Sequence, residues 1–313
     1  FFQITKSKKY PFDHLLVAAF GYDLNEVIQE SCECFNDNWW FASHFIDLMY
    51  NANQLNDCQI DEPEKFREFF ITDYANSLIT HENLWTFGID YLEYCPNNGM
   101  QLIELNLQRL SFSNDYMAQK IFDVAHKHHI VFVMKSICRI NAKKWLMKKR
   151  LGTALTWAIR SEDAALTTEI ADEFINTFYN EGIFPDEDVL SNLGSTMLNS
   201  DRLIFLAKYY EFISLKKEGK LNSAAELLVS LLVSHLAPRF FIQTLLIDSL
   251  PLLEGKKLVL NAEQTCQLLV SLEEFLNSDD KTNKDNFDQY EGILRLAISR
   301  NLARAFVFPT VNC

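Results

Sequence analysis

Three histidines within four residues, His126, His128 and His129, form the first grouping in this 313-residue chain whose types and spacing could do chemistry. Neutral imidazole is a ligand for zinc or copper. No Cys or carboxylate stands nearby at ligand spacing, however, and the cluster falls between two predicted helices. It reads as a helix end, where a protonated imidazole complements the helix dipole. Cys32-x-Cys34 sends its two sulfurs to different helix faces, since residues i and i+2 do not face each other, so a shared metal is disfavoured. The acidic pairs Asp186/Asp188 and Asp279/Asp280 are of the type used for general acid–base work. The first follows Pro185 at a helix start and the second lies in a polar run, so both read as solvated surface. Gly-x-Gly-x-x-Gly, a phosphate loop, His-Glu-x-x-His and Gly-x-Ser-x-Gly are all missing, and Gly219-Lys220 lacks both the upstream Gly and the following Ser or Thr. An enzyme, or an enzyme regulator on a helical scaffold, would need convergent polar groups that the sequence does not assemble. No catalytic residue, cofactor or metal site is expected.

Two further patterns concern binding. Lys135, Arg139, Lys143 and Arg150 fall within a narrow arc of a helix predicted over 128–149, opposite Ile130, Met134, Ile137, Cys138, Asn141 and Trp145. Such a stripe serves as a nucleic-acid, acidic-partner or nuclear-import surface, or as a plain solvent face with cations gathered toward a helix C-terminus. The adjacent aromatics Trp39-Trp40, Phe69-Phe70 and Phe240-Phe241 point roughly 100° apart on helices. One of each pair is expected in the core, which leaves the other for a partner.

The elements that must position these groups are helices. Leu151, Ala154, Leu155, Ala158 and Ile159 recur at the spacing of one helical face. Ser161 then stands as the expected N-cap of a second helix, with Glu162 and Asp163 in its first turn and an apolar stripe of Leu166, Ile170, Phe174 and Phe178 running to Gly182. This is a helix hairpin, the unit of an α-solenoid. Similar patterns predict helices over 12–20, 23–35, 37–53, 62–80, 83–94, 100–108, 113–126, 128–149, 151–160, 162–181, 185–194, 200–218, 223–235, 238–249, 261–277 and 286–306. Pro63 opens one in its first turn. Ser223 with Glu226, and Asn261 with Gln264, have the capping-box form. Gly219 and Gly255 read as C-terminal caps or turns. No segment alternates with period two, and helix lengths vary too much for a fixed repeat. The fold class is therefore all-α, an irregular solenoid of stacked helix pairs. Residues 278–285, SDDKTNKD, read as an exposed loop.

Composition agrees. Nine Gly and seven Pro are less than half of average usage, which is roughly 12% for the two together. A formal charge of −13 argues against a wholesale nucleic-acid binder. The longest uncharged apolar run, 227–238, falls well short of the ~20 residues that span a bilayer. Seven cysteines, an odd number scattered through apolar stretches, fit reduced thiols. The chain opens on Phe1 in mid-pattern, which reads as a piece of something longer.

Several stretches together carry a family likeness. They are Leu84-Trp85 with Asp90-Tyr91-Leu92 and Cys95-Pro96, the 151–174 hairpin, Ser200-Asp201-Arg202-Leu203 running into FLAKYYEF, APRFFIQTLLIDSLPLLE at 237–254, NAEQT at 261–265 and RNLARA at 300–305. Their order and spacing resemble the nucleoporin eighty-five family, scaffold subunits of the Y-shaped outer-ring complex of the nuclear pore. The likeness is strongest over 84–306, with HFIDLMYNA at 44–52 its mark in the first part. It implies an ancestral-coatomer-element architecture, with later trunk helices at 1–150 and a C-terminal tail helical domain at 151–313. It also implies a scaffold role at the nuclear pore of the nuclear envelope, supporting mRNA export and protein import. The expected partners are the other Y-complex nucleoporins at the hub. A propeller nucleoporin is bound in that family by an N-terminal inserted blade that these residues lack. Neither a small-molecule substrate nor direct nucleic-acid binding is implied. A vesicle-coat or tethering subunit with the same stacked helices is the alternative on physics alone. For the hub surface, Phe240 or Phe241 and the C-terminal Leu302, Phe306 and Phe308 are the expected anchors, because LARAFVF stays apolar where a chain end is normally polar.

Overall fold

In the computed structural model, residues 10–35, 38–55, 60, 62–112, 114–255, 257–277 and 287–307 are described. Every regular element among them is helical. The chain divides into two compact units, 1–133 and 134–313.

Unit one holds α1 (Pro11–Gly21), α2 (Leu24–Phe35), α3 (Trp40–Asn51), α4 (Pro63–Ile79), α5 (Trp85–Leu92), α6 (Gly99–Arg109) and α7 (Asp115–Lys127). Its main packing runs strictly between successive helices, α1 on α2 through α6 on α7, as a solenoid requires. The α4–α5 join is the closest. Gly88 lies where a Cβ would meet Ala75 O at 2.6 Å and Ile79 Cγ1 at 2.5 Å. Buried Glu68 on α4 accepts from Asn97 N and Nδ2 at 3.0 and 3.1 Å, which ties α4 to the turn before α6.

The division between units falls within α8 (Val131–Met147). Unit two continues with α9 (Leu151–Ser161), α10 (Ala164–Glu181), α11 (Glu187–Ser191), α12 (Asp201–Lys217), α13 (Leu221–Val233), α14 (Arg239–Leu253), α15 (Ala262–Asn277) and α16 (Asp288–Val307). Here α13 also packs on α15 and α14 on α16, so alternate helices meet as well as successive ones. Its centre is aromatic: the Tyr209 ring lies 4.8 Å from Phe241 and 5.3 Å from Phe178, and Phe205 lies 5.7 Å from Phe241. Tyr209 donates its hydroxyl to Asp248 Oδ2 at 2.8 Å, and Lys216 Nζ donates to the other carboxylate oxygen at 3.1 Å. Burial, reinforced by the Asp248 charge, pushes the Tyr209 phenol above its usual range.

Several caps differ from expectation. Ser161 is the last residue of α9 and donates to Ala158 O at 2.7 Å. The cap of α10 is Asp163, whose Oδ1 accepts from Ala165 N and Leu166 N at 3.1 and 3.2 Å. The hairpin is joined by Glu162 and Asp163; Glu162 takes the left-handed region (φ 54°), so the extended cap residue can only follow it. Helix α13 starts at Leu221 rather than at Ser223, because the turn at Gly219 (φ 78°) lets the chain resume a helix directly after Lys220. Asn261 and Gln264 do form the reciprocal box, at 3.0 and 2.7 Å. Helix α14 runs through Pro251 to Leu253. Burial of Leu252 and Leu253 offsets the hydrogen bond that the proline cannot make. The predicted helix over 185–194 shortens to α11 followed by a 3-10 turn at Gly194–Asn199. The loop expectation at 278–285 lies outside the described residues.

Candidate partner-binding surfaces

The adjacent aromatics divide as helical geometry demands. Phe241 is fully buried against Phe205 and Tyr209, so it serves the core and is unavailable as an anchor. Phe240 is half-buried with its ring edge-on to Tyr179 at 6.0 Å, and it is the outward member. Phe70 is buried while Phe69 is exposed. Trp39 packs on Phe70 at 5.9 Å while Trp40 stands out from α3.

At the other expected anchor, α16 is fastened along one face. Asn301 Nδ2 donates to Leu260 O at 3.2 Å and Thr265 Oγ1 at 2.9 Å, and Arg304 Nη1 donates to Gly255 O at 2.9 Å. Leu294, Ala297, Ile298 and Ala305 are buried on that side. Leu302 is half-buried beside it, and Phe306 remains 70% exposed with Val307 next to it. Phe308 lies outside the described residues. The opposite face carries an apolar stripe absent from the expected anchors: Ile293, Leu296, Ala303 and Val307 are exposed, with Arg300 among them. Their spacing of 293, 296, 300, 303 and 307 alternates three and four residues, the seam period of paired helices. That period was readable in the sequence, but it competes there with the buried stripe on the same helix.

The basic stripe finds its acid within unit two. Lys135 Nζ meets Glu162 Oε2 and Arg139 Nε meets Asp163 Oδ2, each at 2.8 Å. The stripe thereby clamps α8 to the start of α10. Lys135 holds the Glu162 carboxyl below its usual range, chiefly through that hydrogen bond. Lys143 stays exposed, and Arg150 lies beyond the end of α8 as the residue preceding α9. Among the acids, Asp186 Oδ2 accepts from Gly152 N at 2.8 Å and so caps the N-terminus of α9, a role its sequence neighbourhood did not indicate. Asp279 and Asp280 lie outside the described residues.

The histidines sit at the end of α7. His128 is its C-cap, and His129 has a left-handed φ of 56°. The His128 Nε2 atom stands 3.2 Å from Glu93 Oε1, to which Lys127 Nζ donates at 2.6 Å. Among the described residues no three His, Cys, Asp or Glu gather as metal ligands. Among them too, no helix is long and apolar enough to cross a membrane.

Cys32, Cys34, Cys95, Cys138 and Cys266 are free thiols, while Cys58 and Cys313 lie outside the described residues. Burial pushes the Cys138 thiol up to about 11 and raises Cys95 as well. Since the thiolate is the nucleophile, alkylation of the folded chain at pH 8 is expected to modify exposed Cys266 and to spare Cys138 and Cys95. Peptide mapping by mass spectrometry reads this out. Labelling of Cys138 at the rate of Cys266 would show that α8 does not pack as described.

A stacked-helix chain whose polar groups are engaged in caps and inter-helix ties presents faces for assembly. Its family follows from sequence comparison: the model of the Nup85 nucleoporins matches residues 3–274. The chain belongs to the Nup85 nucleoporin family. It is 39% identical over 311 residues to the nuclear pore complex protein Nup85 of Mus musculus, covering 96% of this chain and 47% of that protein. With the Danio rerio Nup85 it shares 41% identity over 304 residues, 95% of this chain and 46% of the relative. With the Drosophila melanogaster nuclear pore complex protein Nup75 it shares 36% over 307 residues, 91% and 46% of the two chains. The chain thus spans about half the length of the curated relatives it matches. For a Nup85-family member the all-α stack is the expected architecture, and both units have it.

Proposed function

We propose that this chain is a structural, non-catalytic part of the nuclear pore outer ring, located at the nuclear envelope and supporting nucleocytoplasmic transport. Membership of the Nup85 family, whose relatives are nuclear pore complex proteins, favours this reading over a vesicle-coat subunit with similar helices. In it, residues 1–150 are later trunk helices and 151–313 the tail. The tail meets the other arms of the Y at their hub. The propeller partner belongs to the portion of the family's length that these residues do not span.

The observation that carries the hub assignment is the end of α16. Asn301 and Arg304 lock one face, while Phe306 and Val307 stay exposed on the last turn. Aromatic anchors of this type dominate interfaces once they are covered. Phe306→Asp together with Phe308→Asp is expected to weaken co-purification with the two other arm subunits by roughly thirtyfold or more, the scale of a hot-spot residue. Because Phe306 is exposed, its replacement should leave the melting curve of the free chain unchanged. Retention of both arms by the doubly substituted chain would overturn the assignment.

A further inference from the structure

Unit one carries most of the net negative charge of the chain. Between residues 10 and 108 there are seventeen Asp and Glu and only two cations, Lys65 and Arg67. Both cations are already engaged, Lys65 with Glu62 at 2.8 Å and Arg67 with Asp47. This stretch of six helices therefore has no unpaired Lys or Arg with which to offset its field.

Within it, the end of α2, α3, α4 and the turn before α5 enclose an open groove of about 600 Å³ whose apolar lining is Phe35, Trp39, Trp40, Tyr74, Leu78 and Leu84. The rings are held in place from behind. His44 Nδ1 lies 2.7 Å from Trp40 O and therefore donates to it, while its Nε2 lies 2.9 Å from the Tyr91 hydroxyl. Tyr74 stands edge-on to both His44 at 5.4 Å and Tyr91 at 5.0 Å, and the Trp40 ring lies 5.0 Å from His44. Trp40 is nonetheless 53% exposed, a large aromatic face fixed by its neighbours and turned to solvent. Glu82 follows the lining residue His81 in the turn before α5; it is exposed and is in no ion pair among the described residues.

We propose that this groove docks an extended, arginine-bearing segment of a partner protein. A guanidinium over an indole or phenol face gains from the ring quadrupole, and stacks on it besides. The surrounding carboxylates raise the local concentration of a cationic segment and steer its approach. An acidic segment would meet repulsion from the carboxylates of residues 10–108. A purely aliphatic segment would use the apolar floor and leave the field unanswered. Preorganised rings reduce the side-chain ordering that docking requires. This assignment is independent of the hub surface on α16, and either can fail without the other.

Fluorescence anisotropy of the purified chain with a labelled peptide of Gly-Arg-Tyr repeats tests the proposal, with Lys and Glu replacing Arg in two control peptides. The Arg peptide is expected to bind, more weakly as salt rises, and the Glu peptide to show no binding. Trp40→Ala is expected to weaken the Arg peptide by roughly five- to thirtyfold, the loss of one cation–π contact that is at least partly desolvated. Glu82→Lys, on an exposed turn where folding is not at issue, is expected to weaken it as well. Absence of binding by the Arg peptide would overturn the proposal. So would binding insensitive to both substitutions, or Lys peptide binding equal to that of Arg and unaffected by Trp40→Ala, since either would mark a diffuse ionic surface.

Discussion

Phe241→Ala is expected to lower the stability of unit two by about 3–5 kcal/mol, the range for emptying a buried aromatic site. The ring is 0% exposed and lies within 6.4 Å of five other rings: Phe178, Tyr179, Phe205, Tyr209 and Phe240. Those rings come from α10, α12 and α14, so a cavity there loosens three helices at once, and rings of this size do not collapse into it without leaving their own rotamers. Tyr209 would feel the change most, because its hydroxyl is also tied to Asp248. A large fall in the denaturant midpoint checks the expectation, and the neighbouring Phe240→Ala supplies the contrast. The half-buried Phe240 is expected to cost much less in the free chain. Equal losses for the two would mean that the pair does not divide between core and surface as described.

Gly88→Ala is the second large effect, and its sign is opposite to what local preference suggests. In an isolated helix, alanine is favoured over glycine by about 0.8–1.0 kcal/mol. In unit one the added Cβ would lie 2.6 Å from Ala75 O and 2.5 Å from Ile79 Cγ1. The first of these is backbone of α4 and cannot rotate away. The helices must separate, at a cost of about 1–3 kcal/mol for the overpacked junction, and Gly88→Val should cost more. Trp85, fully buried one turn earlier on α5, reports the change through its fluorescence. Since Tyr91 on the same helix braces His44 and Tyr74, binding of the arginine peptide should fall together with the melting temperature. A raised melting temperature for Gly88→Ala would refute the close approach of α4 and α5.

The residues that were legible in advance are those governed by neighbours a few positions away. The span expected at 62–80 is Pro63–Ile79, and that expected at 100–108 is Gly99–Arg109. Apolar period, a first-turn proline and a left-handed glycine all act within one or two turns, so their reading needs no knowledge of the rest of the chain. Gly182 ends α10 at φ 72° for this reason. Errors gathered where local signals were outvoted by distant ones. Ser161 and Ser223 have the chemistry of N-caps, yet the hairpin geometry around Glu162 and Gly219 placed the helix starts elsewhere.

Helix content and the absence of strand periodicity thus followed from composition and local spacing, and the family likeness from a resemblance carried by the order of its motifs. Which apolar face meets another helix and which meets solvent followed only from the tertiary arrangement. Period alone marks a face as apolar, and the two stripes of α16 look alike in sequence; Asn301 bonding to Leu260 and Thr265, some forty residues earlier in the chain, decides between them. The basic stripe shows the same dependence. Lys135 and Arg139 are cations on a helix face until the chain reverses and brings Glu162 and Asp163 within 2.8 Å. Burial and pairing are properties of non-local contacts, and non-local contacts are what a linear pattern does not contain.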